Sequence, residues 1–128
     1  MYESEVKIIV RYAETDKMGY CYYGNYATYF EVARVEMLWS LGLSYKRMED
    51  EGILLPVTDF QIKYLKPAYY DEMLTIKTFI RILPNVRIEF DYETYNEKGE
   101  LINEANTQLV FLNSENMKPT RAPETLID

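Results

Sequence analysis

The chain has 128 residues, 48% hydrophobic and 27% charged, which is typical of a single globular domain covering residues 1–128. It has no histidine and one cysteine, Cys21, which excludes Ser-His-Asp and Cys-His catalysis, zinc sites of nitrogen and sulfur ligands, and an intrachain disulfide. A formal net charge of −7 argues against a nucleic-acid partner. No apolar run is long enough to cross a bilayer and no signal-peptide pattern is present, so we expect a cytoplasmic protein with no membrane insertion.

The first predicted elements are a strand, a loop and a long helix. Alternation of apolar and polar side chains predicts a strand over Glu5–Tyr12, followed by a loop over residues 13–24. We expect Asn25 to cap a helix over Tyr26–Leu41 that ends at Gly42. Apolar residues at helical spacing predict a largely buried helix, with Trp39 in the core.

The second half of the chain has the alternating pattern of strands. After a short helix or turn within residues 44–52, we predict four strands and a hairpin turn at residues 96–99: Val57–Tyr64, Leu74–Ile82, Val86–Thr94 and Leu101–Leu112. This order predicts an α+β fold, an antiparallel sheet of about five strands wrapped around one long central helix. One helix and one sheet leave apolar surface uncovered, so we also expect a symmetric oligomer.

The loop before the helix carries the candidate chemistry. Asp16 precedes two glycines, Gly19 and Gly24, and the loop ends where unpaired N–H groups and the positive end of the helix dipole gather. Such amides can stabilise an oxyanion, and a nearby carboxylate can act as nucleophile or as general base for water. The pattern therefore indicates acyl transfer to water. The alternative is that Asp16 only caps a turn.

Cys21 lies in the same loop and is a second candidate nucleophile. A catalytic thiol needs a histidine or another cation to lower its pKa, and only Lys17 and Arg11 are near in sequence. We therefore expect Cys21 to be a buried apolar side chain. A Mg²⁺ or Ca²⁺ site built from oxygen ligands stays open, although the sequence has no calcium-loop pattern.

The segment V-R-Y-A-E-T-D-K-M-G-Y-C-Y-Y-G-N-Y-A-T-Y-F-E-V-A-R, residues 10–34, resembles the signature of acyl-CoA thioesterases of the 4-hydroxybenzoyl-CoA thioesterase type, which have the hotdog fold. Residues 64–74 and 118–124 resemble later parts of the same family. The resemblance implies hydrolysis of an acyl-CoA without metal or cofactor, in a cleft at the interface of a homodimer or homotetramer.

By matching position, the resemblance makes Asp16 the catalytic carboxylate and Tyr23 and Gly24 the source of the amides that bind the thioester oxygen. Asn25 would cap the helix and hold those amides in line. Tyr23 stands where many members carry histidine. Further substrate-binding candidates are two aromatic residues for the acyl cleft and five basic residues for coenzyme A: Tyr64, Tyr12, Lys63, Lys66, Arg87, Lys118 and Arg121.

Two other functions remain open on the sequence. The chain could be a non-catalytic module that binds acyl-CoA, or a thioesterase whose acyl group is carried by acyl carrier protein. The presence of Asp16 favours an enzyme, because a binding site gains little from a carboxylate beside a thioester. The identity of the acyl group is open.

Overall fold

The structure is a computed structural model that describes residues 2–127, with the side chain of Ile127 left out. In chain order its elements are β1 (Tyr2–Ile9), a 3-10 turn (Tyr12–Glu14), α1 (Asn25–Ser40), α2 (Tyr45–Asp50), β2 (Ile53–Leu54), β3 (Val57–Tyr64), β4 (Met73–Ile80), β5 (Arg87–Tyr95), β6 (Leu101–Val110), β7 (Leu112–Asn113) and α3 (Glu124–Ile127).

Five strands form one antiparallel sheet in the order β1-β4-β5-β6-β3, and β2 and β7 form a separate two-stranded sheet. Burial alternates residue by residue along β4 and β5, so one face of the sheet is buried and the other is partly open to solvent. The turn between β5 and β6 is the predicted one. Asn96 accepts the amides of Lys98 and Glu100, and Gly99 has a φ of +77°.

Helix α1 packs on the buried face of this sheet. The predicted apolar positions are confirmed as the packing face: six of them are buried, namely Tyr26, Tyr29, Phe30, Ala33, Met37 and Leu38. The helix ends as predicted, because Gly42 adopts a φ of +86° and the amide of Leu43 donates to the carbonyl of Leu38.

Aromatic rings fill the space between helix and sheet. Phe30 is fully buried and stacks on Tyr92 of β5 with ring centroids 4.5 Å apart. The Tyr92 hydroxyl is 2.7 Å from the hydroxyl of Thr107 on β6, so its polar end is satisfied inside the core. The ring of Phe60 on β3 also packs edge to face against Phe30. The architecture is the predicted α+β hotdog arrangement.

Two predicted strands are too long, because β4 ends at Ile80 rather than Ile82 and β6 ends at Val110 rather than Leu112. Three further expectations about local structure are wrong. Strand β1 ends at Ile9 rather than at Tyr12, because the chain turns into the 3-10 segment. Asn25 does not cap the helix: it is the first helical residue, and its side-chain amide donates to the carbonyl of Glu14. Trp39 is 67% exposed, because it lies two turns after Val32 on the exposed side of α1.

The tail runs back along the sheet. The amide of Thr120 donates to the carbonyl of Phe111, and the amide of Ala122 donates to the carbonyl of Asn85. Among residues 2–127, no helix is both long and apolar enough to span a bilayer.

The stack on Phe30 makes a prediction about stability. Phe30→Ala should lower the free energy of unfolding by about 3–5 kcal/mol, because it removes a fully buried ring and leaves a cavity. The matched control is Trp39→Ala on the same helix. Because the Trp39 ring is exposed, this change should lower the free energy of unfolding by less than about 1 kcal/mol. Chemical denaturation checks both values, and equal losses would contradict this packing.

Candidate active site

Asp16 closes a small hairpin at the start of the loop. Its amide donates to the carbonyl of Tyr20 over 2.8 Å, and its carboxylate oxygen Oδ1 accepts the amides of Met18 at 2.9 Å and Tyr20 at 3.2 Å. The turn-capping role foreseen as an alternative is therefore present. It uses only one carboxylate oxygen. Within residues 2–127, nothing donates a hydrogen bond to the other oxygen, Oδ2.

The loop ends at two backbone amides that have no acceptor within residues 2–127. The amide of Tyr22 donates to the carbonyl of Glu14, and the amides of Asn25 and Tyr26 are used in the turn that starts α1. Between them, the amides of Tyr23 and Gly24 donate to no acceptor in the part of the chain that the structure describes. These two donors lie at the N-terminus of a 16-residue helix, where the helix dipole favours negative charge.

Gly24 lies in close contact with the ring of Tyr22, which is itself 48% exposed. A Cβ atom on Gly24 would lie 2.6 Å from a ring carbon of Tyr22, well inside van der Waals contact. The absence of a side chain therefore lets the Tyr22 ring lie against the backbone of the first turn. The Tyr22 and Tyr23 rings are themselves in contact, with centroids 4.7 Å apart.

A cavity of about 300 Å³ adjoins Asp16 and Tyr23, whereas the predicted site residue Gly24 is not among its lining residues. Its lining includes four of the predicted site residues together with five others: Asp16, Tyr23, Tyr64 and Lys66, with Tyr20, Cys21, Tyr26, Leu65 and Pro67. The wall is therefore mainly aromatic and apolar, with one carboxylate and one ammonium group. Lys66 forms an ion pair with Glu100 at this edge.

Cys21 lies in the cavity wall but is not activated. Its side chain is buried, and burial raises the pKa of the thiol. The sulfur contacts the hydroxyl of Tyr29 at 3.6 Å. At neutral pH the group is therefore a protonated thiol, which agrees with the expectation that Cys21 is an apolar side chain rather than a nucleophile.

Sequence reasoning gave no role to Glu14, which is 8% exposed. Its carboxylate accepts hydrogen bonds from the backbone and side chain of Arg11, each at 2.9 Å, and from the Tyr29 hydroxyl at 2.8 Å. Burial acts to raise the pKa of the Glu14 carboxyl, but these hydrogen bonds outweigh it and leave the pKa below its ordinary value. A signal was available, because Glu14 lies within the R-Y-A-E-T-D segment that carries the family resemblance.

Several predicted residues do not line this cavity within one chain. Tyr12 is 76% exposed and contacts Tyr70 instead. Asn25 turns its side chain to Glu14. Four exposed basic residues lie elsewhere. Lys63 is on the outer side of β3 and Arg87 begins β5, while Lys118 and Arg121 lie after β7. Their role in binding coenzyme A stays a prediction.

A larger groove of about 520 Å³ lies elsewhere, lined by Lys7 and Lys77 and by the turn between β5 and β6. Its carboxylate, Glu97, already accepts the amide of Met73. This groove lies away from the N-terminus of α1, and we place the candidate active site in the smaller cavity because Asp16 and Tyr23 both line it.

The family model of the thioesterase superfamily matches residues 18–103, which is more than half of the chain. The chain belongs to the thioesterase superfamily. The predicted resemblance is thereby confirmed, and this thioesterase has the hotdog fold of its structural neighbours. By family it is a thioester hydrolase, so the reading as a non-catalytic binding module is not favoured.

Similar proteins span nearly the whole thioesterase chain. YneP of Bacillus subtilis is 39% identical over 119 residues, 93% of this chain and 86% of that protein. Acyl-CoA thioester hydrolase YbgC of Escherichia coli is 30% identical over 118 residues, covering 92% and 88% of the two chains. The structure of a DHNA-CoA thioesterase from Staphylococcus aureus has a TM-score of 0.90 and 45% identity, covering 94% and 81%.

Burial of Cys21 makes a prediction about reactivity. In the native thioesterase, a thiol reagent such as iodoacetamide should modify Cys21 at least ~10-fold more slowly than in the denatured chain at the same pH, since the thiol is both buried and protonated. Mass spectrometry over time measures this. Modification of the native protein at the rate of the denatured chain would show an accessible thiolate and reopen the cysteine mechanism.

Proposed function

We propose that this thioesterase hydrolyses an acyl-CoA to a free carboxylic acid and coenzyme A, using Asp16 and the amides of Tyr23 and Gly24. The observation that carries the proposal is that Asp16 and Tyr23 line the same cavity of about 300 Å³. Asp16 retains one oxygen without a hydrogen-bond donor among residues 2–127, and the two amides have no acceptor there. The names of the Escherichia coli and Staphylococcus aureus relatives support a coenzyme A thioester as substrate.

In the proposed reaction the thioester carbonyl oxygen accepts hydrogen bonds from the two free amides. Attack at the carbonyl carbon converts this oxygen to an oxyanion, which the amides and the helix dipole stabilise. Collapse of the tetrahedral intermediate breaks the carbon–sulfur bond and releases coenzyme A as a thiolate that takes up a proton. Because the donors belong to the backbone, the Tyr23 side chain supplies only a wall of the cavity, and no imidazole is required.

Asp16 fits two roles in this reaction. As a general base it removes a proton from the attacking water and returns it to the leaving thiolate. As a nucleophile it forms a mixed anhydride that water then hydrolyses. A single turnover in heavy-oxygen water distinguishes the two, because only the nucleophilic route can place label in the Asp16 carboxylate when water attacks the aspartyl carbonyl.

Lys66 is the basic residue that lines the cavity, so we propose it as the first contact for the anionic part of coenzyme A. The cavity is bounded by tyrosine rings, which suits a compact acyl group better than a long chain. The remaining basic candidates would have to reach the substrate from a partner subunit. A cytoplasmic location stays a prediction from composition.

We also propose that two chains pair through β3, which is an edge strand of the five-stranded sheet. Apolar side chains along it are 40–48% exposed: Val57, Phe60 and Tyr64. A groove of about 270 Å³ lies between this strand and α1. An edge with free backbone groups and exposed apolar side chains favours pairing with a second copy, which would extend the sheet.

The function is tested with aromatic, short-chain and medium-chain acyl-CoAs and an acyl carrier protein thioester, with free thiol followed colorimetrically. We expect turnover of at least one acyl-CoA, and Asp16→Asn should lower kcat by at least ~100-fold because it removes the base or nucleophile. The free energy of unfolding should change little, since an amide oxygen can still accept from Met18 and Tyr20.

The control is Asp50→Asn, an exposed carboxylate on α2 that should leave kcat unchanged. Absence of thiol release from every acyl-CoA would overturn the proposed activity. Turnover of the acyl carrier protein thioester alone would show that acyl carrier protein, rather than coenzyme A, carries the acyl group of the substrate. Full activity of Asp16→Asn would assign the chemistry to another group.

Pairing through β3 is tested by light scattering after size exclusion. The wild type should have at least twice the 15.2 kDa mass of one chain. Phe60→Lys should shift it toward the monomer, because a charge on an edge strand opposes pairing. Ile82→Lys is the matched control, since Ile82 is an exposed apolar residue outside the sheet. A monomeric wild type would rule out the proposed interface.

A further inference from the structure

Glu14 and Tyr29 form a buried contact next to the candidate active site, although neither lines its cavity. Tyr29 lies one turn into α1 and is 2% exposed. Its hydroxyl donates to Oε1 of Glu14 over 2.8 Å, and the same oxygen accepts the amide of Arg11. A single carboxylate oxygen therefore joins the chain before the loop to the helix after it.

The backbone carbonyl of Glu14 makes a second junction. It accepts the amide of Tyr22 and the side-chain Nδ2 of Asn25, both over 2.7 Å. These two residues flank Tyr23 and Gly24, whose amides have no acceptor among residues 2–127. One oxygen atom thus fixes the backbone on both sides of the two free donors.

Glu14 therefore contacts the loop and the helix through different atoms. The carbonyl sets the path of residues 22–25, and the carboxylate sets the position of that carbonyl relative to α1. Since Glu14 is two residues before Asp16, the same contacts also fix where the hairpin of Asp16 begins. A shift of about 1 Å in donors aimed at a reacting atom can cost on the order of 100-fold in rate.

We propose that Glu14 and Tyr29 are positioning residues that hold the Tyr23 and Gly24 amides and the Asp16 carboxylate in register for thioester hydrolysis. The inference rests on the proposed function and adds to it two residues that do not contact the reacting atoms. Their effect should fall on the chemical step, because they act on transition-state contacts rather than on the surface that binds coenzyme A.

The principal variant is Tyr29→Phe, which removes one hydroxyl and keeps the buried ring. Measured well below the unfolding temperature, its kcat should fall about 10-fold or more with KM changed less than about threefold. Glu14→Ala should lower kcat by at least the same factor. Glu14→Gln should recover much of the loss relative to Glu14→Ala, because its amide oxygen can still accept from Tyr29 and from the Arg11 backbone.

The matched control is Tyr45→Phe on α2, which removes the hydroxyl of another, partly buried tyrosine. That hydroxyl accepts Nε of Arg34 at 3.2 Å, in the second half of α1. It should affect stability and leave kcat unchanged. A kcat for Tyr29→Phe equal to that of the wild type, in protein whose turnover still requires Asp16, would overturn the inference and leave the proposed function intact. A wild type without thioesterase activity would overturn the proposed function itself. If Glu14→Ala does not fold, Tyr29→Phe decides alone.

Discussion

The carbonyl oxygen of Glu14 makes the contacts on which the rest of the site depends. It accepts one hydrogen bond from the loop at Tyr22 and one from the helix at Asn25. A helix N-terminus always has free amides, but they are useful only if the chain leading into the helix leaves them uncovered. Here that chain is held by Glu14, and the amides of Tyr23 and Gly24 have no acceptor among residues 2–127.

Fixing the backbone in this way suits a chain without histidine. Peptide N–H groups do not titrate and carry a constant dipole, so they can stabilise developing charge without proton transfer. The remaining task for a side chain is then limited to attack on the carbonyl or activation of water. In the proposed mechanism Asp16 combines this task with a structural one, since one of its oxygens holds the hairpin while the other has no hydrogen-bond donor among residues 2–127.

Much of the fold was predictable because it follows from short-range patterns. Alternation gave the bounds of β3 without error, and the apolar spacing of α1 identified its buried face. Trp39 was misplaced because it was assigned to the core by its apolar character and not by the spacing that marks the buried face of α1. Asn25 was misplaced because a preference for capping was overridden by a tertiary contact with Glu14.

The candidate site was predictable in part for the same reason. Asp16 and Tyr23 are close in sequence, and the helix start brings them together. Glu14 was missed because its role depends on Arg11 and Tyr29, contacts across a turn that no periodicity reveals. The basic residues were chosen from sequence position alone, and of these only Lys66 lines the cavity.

The exposure of the Tyr23 side chain bears on how such an enzyme can diversify. Its ring is 64% exposed, and the proposed chemistry uses only its main chain. Natural selection could therefore exchange this side chain to suit new acyl groups while the donors beneath it stay in place. A side chain at Gly24 would require the exposed Tyr22 ring to move, because a Cβ atom there would lie 2.6 Å from one of its carbons. Two neighbouring codons would then evolve under different constraints, because a change at the second also requires a new position for the Tyr22 ring.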